Sequence, residues 1–212
     1  MYRVILNIMM IQLPDNLELD NEFWQFSLAL WQKKEVQETL LRLQDKQSFR
    51  INLLLFSMWL GLERKIIEEH LELLVQTTKP WHQQVVIPLR TVRQTIPKQL
   101  PNPALKPQIQ SSELLAEQIE QALLFSCAQK ISKKDQKIRD NQTNDNTLYT
   151  LTSNLLACST HHQTSTLPDK LKNKSGKLDQ SDLLLLIQAC LPIHPVSHIS
   201  ACIDSLTAAP KA

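Results

Sequence analysis

The chain has 212 residues, enough for one domain with a sizeable core, and among them are only 2 glycines, 11 prolines and 4 cysteines. So few glycines argue against hairpins and phosphate-cradling loops, which need backbone at positive φ, and favour helices. A net charge of +2 is too small for an electrostatic footprint on nucleic acid or an acidic membrane surface, and the widely spaced Cys127, Cys158, Cys190 and Cys202 read as reduced cytosolic thiols, not a disulfide framework.

In chain order, the start "MYRVILNIMMIQLP" is apolar but shorter than the ~20 residues of a membrane-spanning helix, and it lacks the basic start and cleavage site of a signal peptide. We read residues 1–19 as an N-terminal extension, docked or frayed, with Met9 or Met10 as alternative true starts. All four tryptophans fall between residues 23 and 81, with Phe23, Phe26, Phe49 and Phe56. Aromatic side chains dominate core burial, so a helical core domain is expected over residues 20–98.

Five helices are expected in that core. The first spans Asn21–Gln32 with Asp20 or Asn21 as its N-cap, and the second Glu35–Gln44. Asp45 or Ser48 would cap the third, "FRINLLLFSMWLGL", which would stop near Gly61 in a left-handed turn. The fourth covers Arg64–Thr78 and ends in a corner at Lys79, because Pro80 disfavours helical geometry before it. The fifth lies between Pro80 and Pro97 with Pro88 inside it.

Beyond the core, residues 99–110 carry Pro101, Pro103 and Pro107 and read as a stiff, extended linker. Residues 111–131 form an amphipathic helix capped by Ser111 or Ser112 and packed on the core. Residues 132–212 read as a low-complexity, largely disordered tail, polar over 132–147 and 159–181, with short docked helices in "TLYTLTSNLLAC" and "DLLLLIQACLPI" and another from Ser197. The fold class is all-α: a compact, irregular bundle of about five core helices, a Pro-rich linker, one long amphipathic helix and a partly disordered tail.

The third helix is apolar nearly all round and should be central; its lightest stripe is Arg50, Ser57 and Gly61. Asn52 falls beside Phe56 and Trp59, and a buried amide needs a partner. On the fifth helix, Trp81, Val85, Leu89, Val92 and Ile96 share one side and form the expected core face. His82, Val86 and Arg93 lie at its edge and Arg90 points further out, so Arg93 should reach Asp45 or Asn52. Pro88 withholds a hydrogen bond from the carbonyl of Gln84, and a kink around the central helix would offset this.

The segments "FWQFSLALW" (Phe23–Trp31), "VQETLLRLQD" (Val36–Asp45), "INLLLFSMWLGL" (Ile51–Leu62) and "WHQQVVIPLRTVR" (Trp81–Arg93) occur in this order. Together they resemble the proteobacterial family of short proteins called domain of unknown function 2390, over about residues 22–98, with a weaker echo in "ELLAEQIEQALL". The resemblance implies a small, helical, cytoplasmic protein with no established activity, cofactor or partner. Family members often carry Cys where this chain has Leu40 and Gly where it has Ser48.

Other chemistries fit poorly. Cys190, His194, His198 and Cys202 recur every fourth residue, but Pro192 and Pro195 break the helix that would align them. The outer cysteines would also lie too far apart to share one ion. His161 and His162 sit in an expected polar loop. No Gly-x-Ser-x-Gly elbow is present. Glu68, Glu69 and Glu72, and likewise Glu113, Glu117 and Glu120, have the helical spacing of solvated faces, not of a magnesium site. The loop lysines Lys130, Lys133, Lys134, Lys137, Lys170, Lys172, Lys174 and Lys177 alternate with acids and have no aromatic among them, so nucleic acid is not favoured.

The reading is a non-enzymatic interaction or regulatory module without metal or cofactor, cytoplasmic and off the membrane. It would bind a protein partner through the kinked helix 80–97, using Trp81, Arg90 and Arg93 with Gln44 and Asp45. The alternative is a small-molecule binder or enzyme with a pocket between helices 48–61 and 80–97, lined by Asn52, His82 and Arg93.

Overall fold

The computed structural model describes residues 11–97, 99, 101–130, 146–165 and 177–208. The apolar start Met1–Met10, the lysines from Lys133 to Lys174 and most of the expected disordered stretches lie outside the described residues. The described residues form α1 (Glu22–Trp31), α2 (Lys34–Gln47), α3 (Ile51–Leu62), α4 (Leu71–Trp81), α5 (Ile87–Thr95), α6 (Leu105–Lys130), α7 (Asn146–Ser165), α8 (Gln180–Cys190) and α9 (Val196–Ala208), with no strand among them. The all-α class is as read. Among the described residues no helix is long and apolar enough to cross a membrane.

Helix α3 is the axis of the molecule, buried from Ile51 to Gly61. On one side it packs an aromatic cluster. Phe23 of α1 meets Phe56 edge-on at 5.1 Å, and Trp59 lies 5.6 Å from both Phe23 and Phe125 of α6. On another side it takes α7. An ideal Cβ built on Gly61 would lie 2.5 Å from the Cα of Leu151, so glycine is there to let two helix backbones approach. The light stripe therefore divides: Ser57 and Gly61 form a groove that α7 fills, while Arg50 turns to α4 and α6. Asn154 of α7 fixes the register: its amide donates to the carbonyls of Ser57 (3.2 Å) and Lys65 (2.8 Å), and its oxygen accepts from the N–H of Ile67 (3.1 Å). Leu148, Leu151 and Leu155 of α7, Leu186 and Ile187 of α8, and Ile199 and Ile203 of α9 are buried in the same cluster as α3.

Several local expectations are corrected. Asn21 does cap α1, accepting from the N–H of Trp24 at 2.9 Å. Ser48, however, ends α2 in the left-handed region at φ 61° instead of capping α3, whose N-cap is Arg50. A glycine would adopt that conformation without strain. Gly61 is helical, and Arg64, at φ 58°, takes the left-handed turn instead. The predicted corner at Pro80 is absent. Helix α4 runs through it, passes into a π turn over His82–Val86 and continues as α5, ending at Thr95 as Pro97 requires. Helix α6 begins at Leu105, inside the expected linker, with Pro107 in its first turn, where no donor is needed. Ser112 is then interior to α6 and bonds back to the carbonyl of Gln108 at 3.0 Å. His161 and His162 belong to α7, not to a loop; His162 stacks on Phe49 at 4.1 Å and donates from Nε2 to the carbonyl of Gln47 at 2.8 Å.

Candidate functional site: a buried glutamate and its cationic partners

The glutamates of α6 are the main departure from the sequence reading. Glu113, Glu117 and Glu120 follow one another at four and three residues, which places them on one side of a helix. That side faces α3, the π turn and α5, and Glu113 and Glu120 are buried, not solvated.

Glu120 is fully enclosed and holds several donors. Arg50 pairs with it through Nη2, Asn52 donates from Nδ2 at 2.7 Å, and His82 approaches with Nδ1 at 3.1 and 3.2 Å from the two oxygens. Arg50 also donates to the Thr78 hydroxyl at 2.7 Å, and Gln121 donates to Asn52 Oδ1 at 2.9 Å. Burial penalises the charged form of Glu120, but the hydrogen bond from His82 and the charge of Arg50 outweigh it and hold the carboxyl down at about 2. Because Glu120 stays ionised, His82 presents Nδ1–H to it.

A second group lies further along α6. Arg90 donates to Glu113 at 3.0 Å and to Glu117 at 2.6 Å. Arg93 pairs with Glu113 through Nε and Nη2. Burial pushes the Glu117 carboxyl upward against the opposing charge of Arg90, while the Glu113 carboxylate raises Arg93. Trp81 donates its indole N–H to the Ala116 carbonyl at 2.8 Å, pinning the end of α4 to α6.

The sequence-predicted residues thus divide. Asn52 and His82 meet, as the pocket reading required, but they meet at Glu120, and Arg93 goes to Glu113 instead of Asp45 or Asn52. Arg90, expected to point outward, is the more enclosed arginine, with 15% of its side chain exposed against 29% for Arg93. Gln44 lends its carbonyl to the N–H of Ser48 at 3.0 Å, and exposed Asp45 acts on Arg93 only through its charge. The wheel fails at the π turn. A π turn carries an extra residue, so every later side chain shifts in phase. Val86 is fully buried in place of Val85, and Val92 is 45% exposed.

Arg50, Thr78, Glu113, Glu117, Glu120 and Gln121 were missed as site residues. One signal was available for part of this set. Arg90 and Arg93 lie three apart on one helix, and Glu113 and Glu117 lie four apart on the next, a complementary pair of ridges.

Among the described residues no three His, Cys, Asp or Glu side chains converge as a metal site would require. Cys158 and Cys190 are pushed by burial up to about 12, which leaves them as unreactive thiols at neutral pH. No curated protein and no solved structure gives a significant match to the chain. Residues 22–124, the span that holds both groups of ion pairs, match the family model described as Protein of unknown function (DUF2390).

Proposed function

We propose that the protein is a non-enzymatic helical interaction module whose partner, a protein, docks on the outer face of the kinked helix that runs through residues 80–97. One observation carries this reading. The charged residues of α5 turn inward to α6, while its apolar residues Leu89 and Val92, with Val85 just before it and Ile96 just after, stay outside the main core cluster at the surface or half-buried. Val92 and Ile87 are 45% and 42% exposed. Apolar side chains left exposed on a helix whose charged residues face inward suit contact with another apolar surface better than they suit water. The arginines then brace the helix and do not themselves contact the partner.

Affinity capture from native lysate with the full chain tests this, with Val92→Glu as the control. A stoichiometric protein captured by the natural chain and lost with the variant supports the reading. Equal capture by both chains removes the α5 face from it.

The small-molecule alternative draws on a different observation. Arg50 Nε and Gln121 Oε1 are buried without a hydrogen-bond partner on either side of the Asn52–Glu120 pair. A small polar ligand offering both an acceptor and a donor would suit them. A thermal-shift screen of polar metabolites addresses it, since a ligand bound only by the folded state raises the melting point.

A further inference from the structure

Helix α5 differs from its neighbours in how it is held. It buries none of its residues, whereas α1, α2, α3 and α4 each bury at least three. Its contacts to α6 run through Arg90 and Arg93 onto Glu113 and Glu117. The chain just before it is firmly anchored. Trp81 is tied to the Ala116 carbonyl, His82 to Glu120, and Val86 is fully buried. Between the anchored part and the arginines stands Pro88, which has no N–H to give to the turn behind it, directly after a π turn closed by the N–H of Ile87 on the carbonyl of His82. The far end stops at Thr95, where Ile96 becomes extended.

We propose that α5 is an ionic latch. The segment Ile87–Thr95 swings away from α6 about the joint at Pro88, and the two arginines reseat it on Glu113 and Glu117. The anchored residues up to Val86 stay in place in both positions. The closing contacts are electrostatic, so the latch responds to charge and salt while the apolar core around α3 does not. This inference rests on the α5–α6 geometry and stands whether or not the outer face of α5 binds a partner.

Amide hydrogen exchange on the full chain tests it, comparing peptides from α5 with peptides from α3. In the natural chain at neutral pH, raising the salt to about 1 M should speed exchange over Arg90–Thr95 several-fold and leave α3 unchanged. The double variant Glu113→Gln, Glu117→Gln should speed the same amides by roughly tenfold or more at low salt, with α3 still protected. Restoring Glu113 alone should return part of the protection. If α5 amides exchange in step with α3 amides under every condition, α5 opens only when the whole protein unfolds and there is no latch. If the double variant does not fold, the salt series on the natural chain decides the matter, and a flat series overturns the proposal.

Discussion

The two flanks of α3 are held by different physics. On the α7 flank the contact is close and apolar: Gly61 admits the backbone at Leu151, and Leu148, Leu151 and Leu155 are buried against it. Such contact is non-directional, so register there depends on the Gly61 notch and on the three hydrogen bonds of Asn154. On the α6 flank, Arg50 and Asn52 meet a buried carboxylate. Taking those charges out of water costs several kcal/mol per ion, and only dense hydrogen bonding offsets the cost. The apolar flank should therefore weaken in proportion to what is removed, while the ionic flank should fail as a unit when one member is lost.

The largest test is Glu120→Ala. It leaves Arg50, Asn52 and His82 buried without their acceptor, and breaking a buried pair by removing one side costs ~3–5 kcal/mol. Urea denaturation should show that loss. A change below about 1 kcal/mol would mean that the α6 flank is in effect as solvated as a surface pair.

Acid offers a second route to the same flank. The Glu120 carboxyl, held at about 2 against an ordinary 4.5, contributes ~3 kcal/mol that is fully present above pH 4.5 and lost as pH falls from 4.5 towards 2. Glu117, raised by burial, works in the opposite sense, since its protonation in acid relieves a cost present at neutral pH. His162, lowered by burial, adds a further loss as pH falls through 6.5. Denaturation midpoints at several pH values should fall steeply below 4.5 in the natural chain and much less steeply in Glu120→Gln.

On the apolar flank, Gly61→Ala places a methyl group against the backbone of α7, and α3 and α7 must separate. Overpacking of this kind costs ~1–3 kcal/mol. Pairing it with Leu151→Ala would not restore stability, because the nearest obstructing atom is the Cα of Leu151. A full rescue by that pair would show that side chains, not backbones, set the approach.

The smallest effect tests neither flank and calibrates both. Ser48 sits at φ 61° at the end of α2, and Ser48→Gly should stabilise the protein by ~1 kcal/mol through relief of left-handed strain.

How much was legible follows from particular residues. The Asn21 cap, the burial of α3 and the stop before Pro97 are local or periodic signals, and they were readable. Asn52 was readable as a buried amide in need of a partner, but the partner lies 68 residues further along, at Glu120. Glu113, Glu117 and Glu120 were misread because a glutamate ridge looks the same whether it faces water or a pair of arginines. Arg90 was misplaced because a wheel assumes 100° per residue through a segment that contains a π turn.

By itself, then, the sequence determined the helical class, the central place of α3, the ends set by Asn21 and Pro97, and the family to which residues 22–124 match. These rest on interactions within a few residues or on the period of apolar side chains. Only the tertiary structure decided that the groove at Ser57 and Gly61 belongs to α7, that Pro80 stays helical, and that the α6 glutamates face inward. Each of these depends on what a second helix brings to the contact, and charge pairing and backbone approach are properties of two surfaces at once.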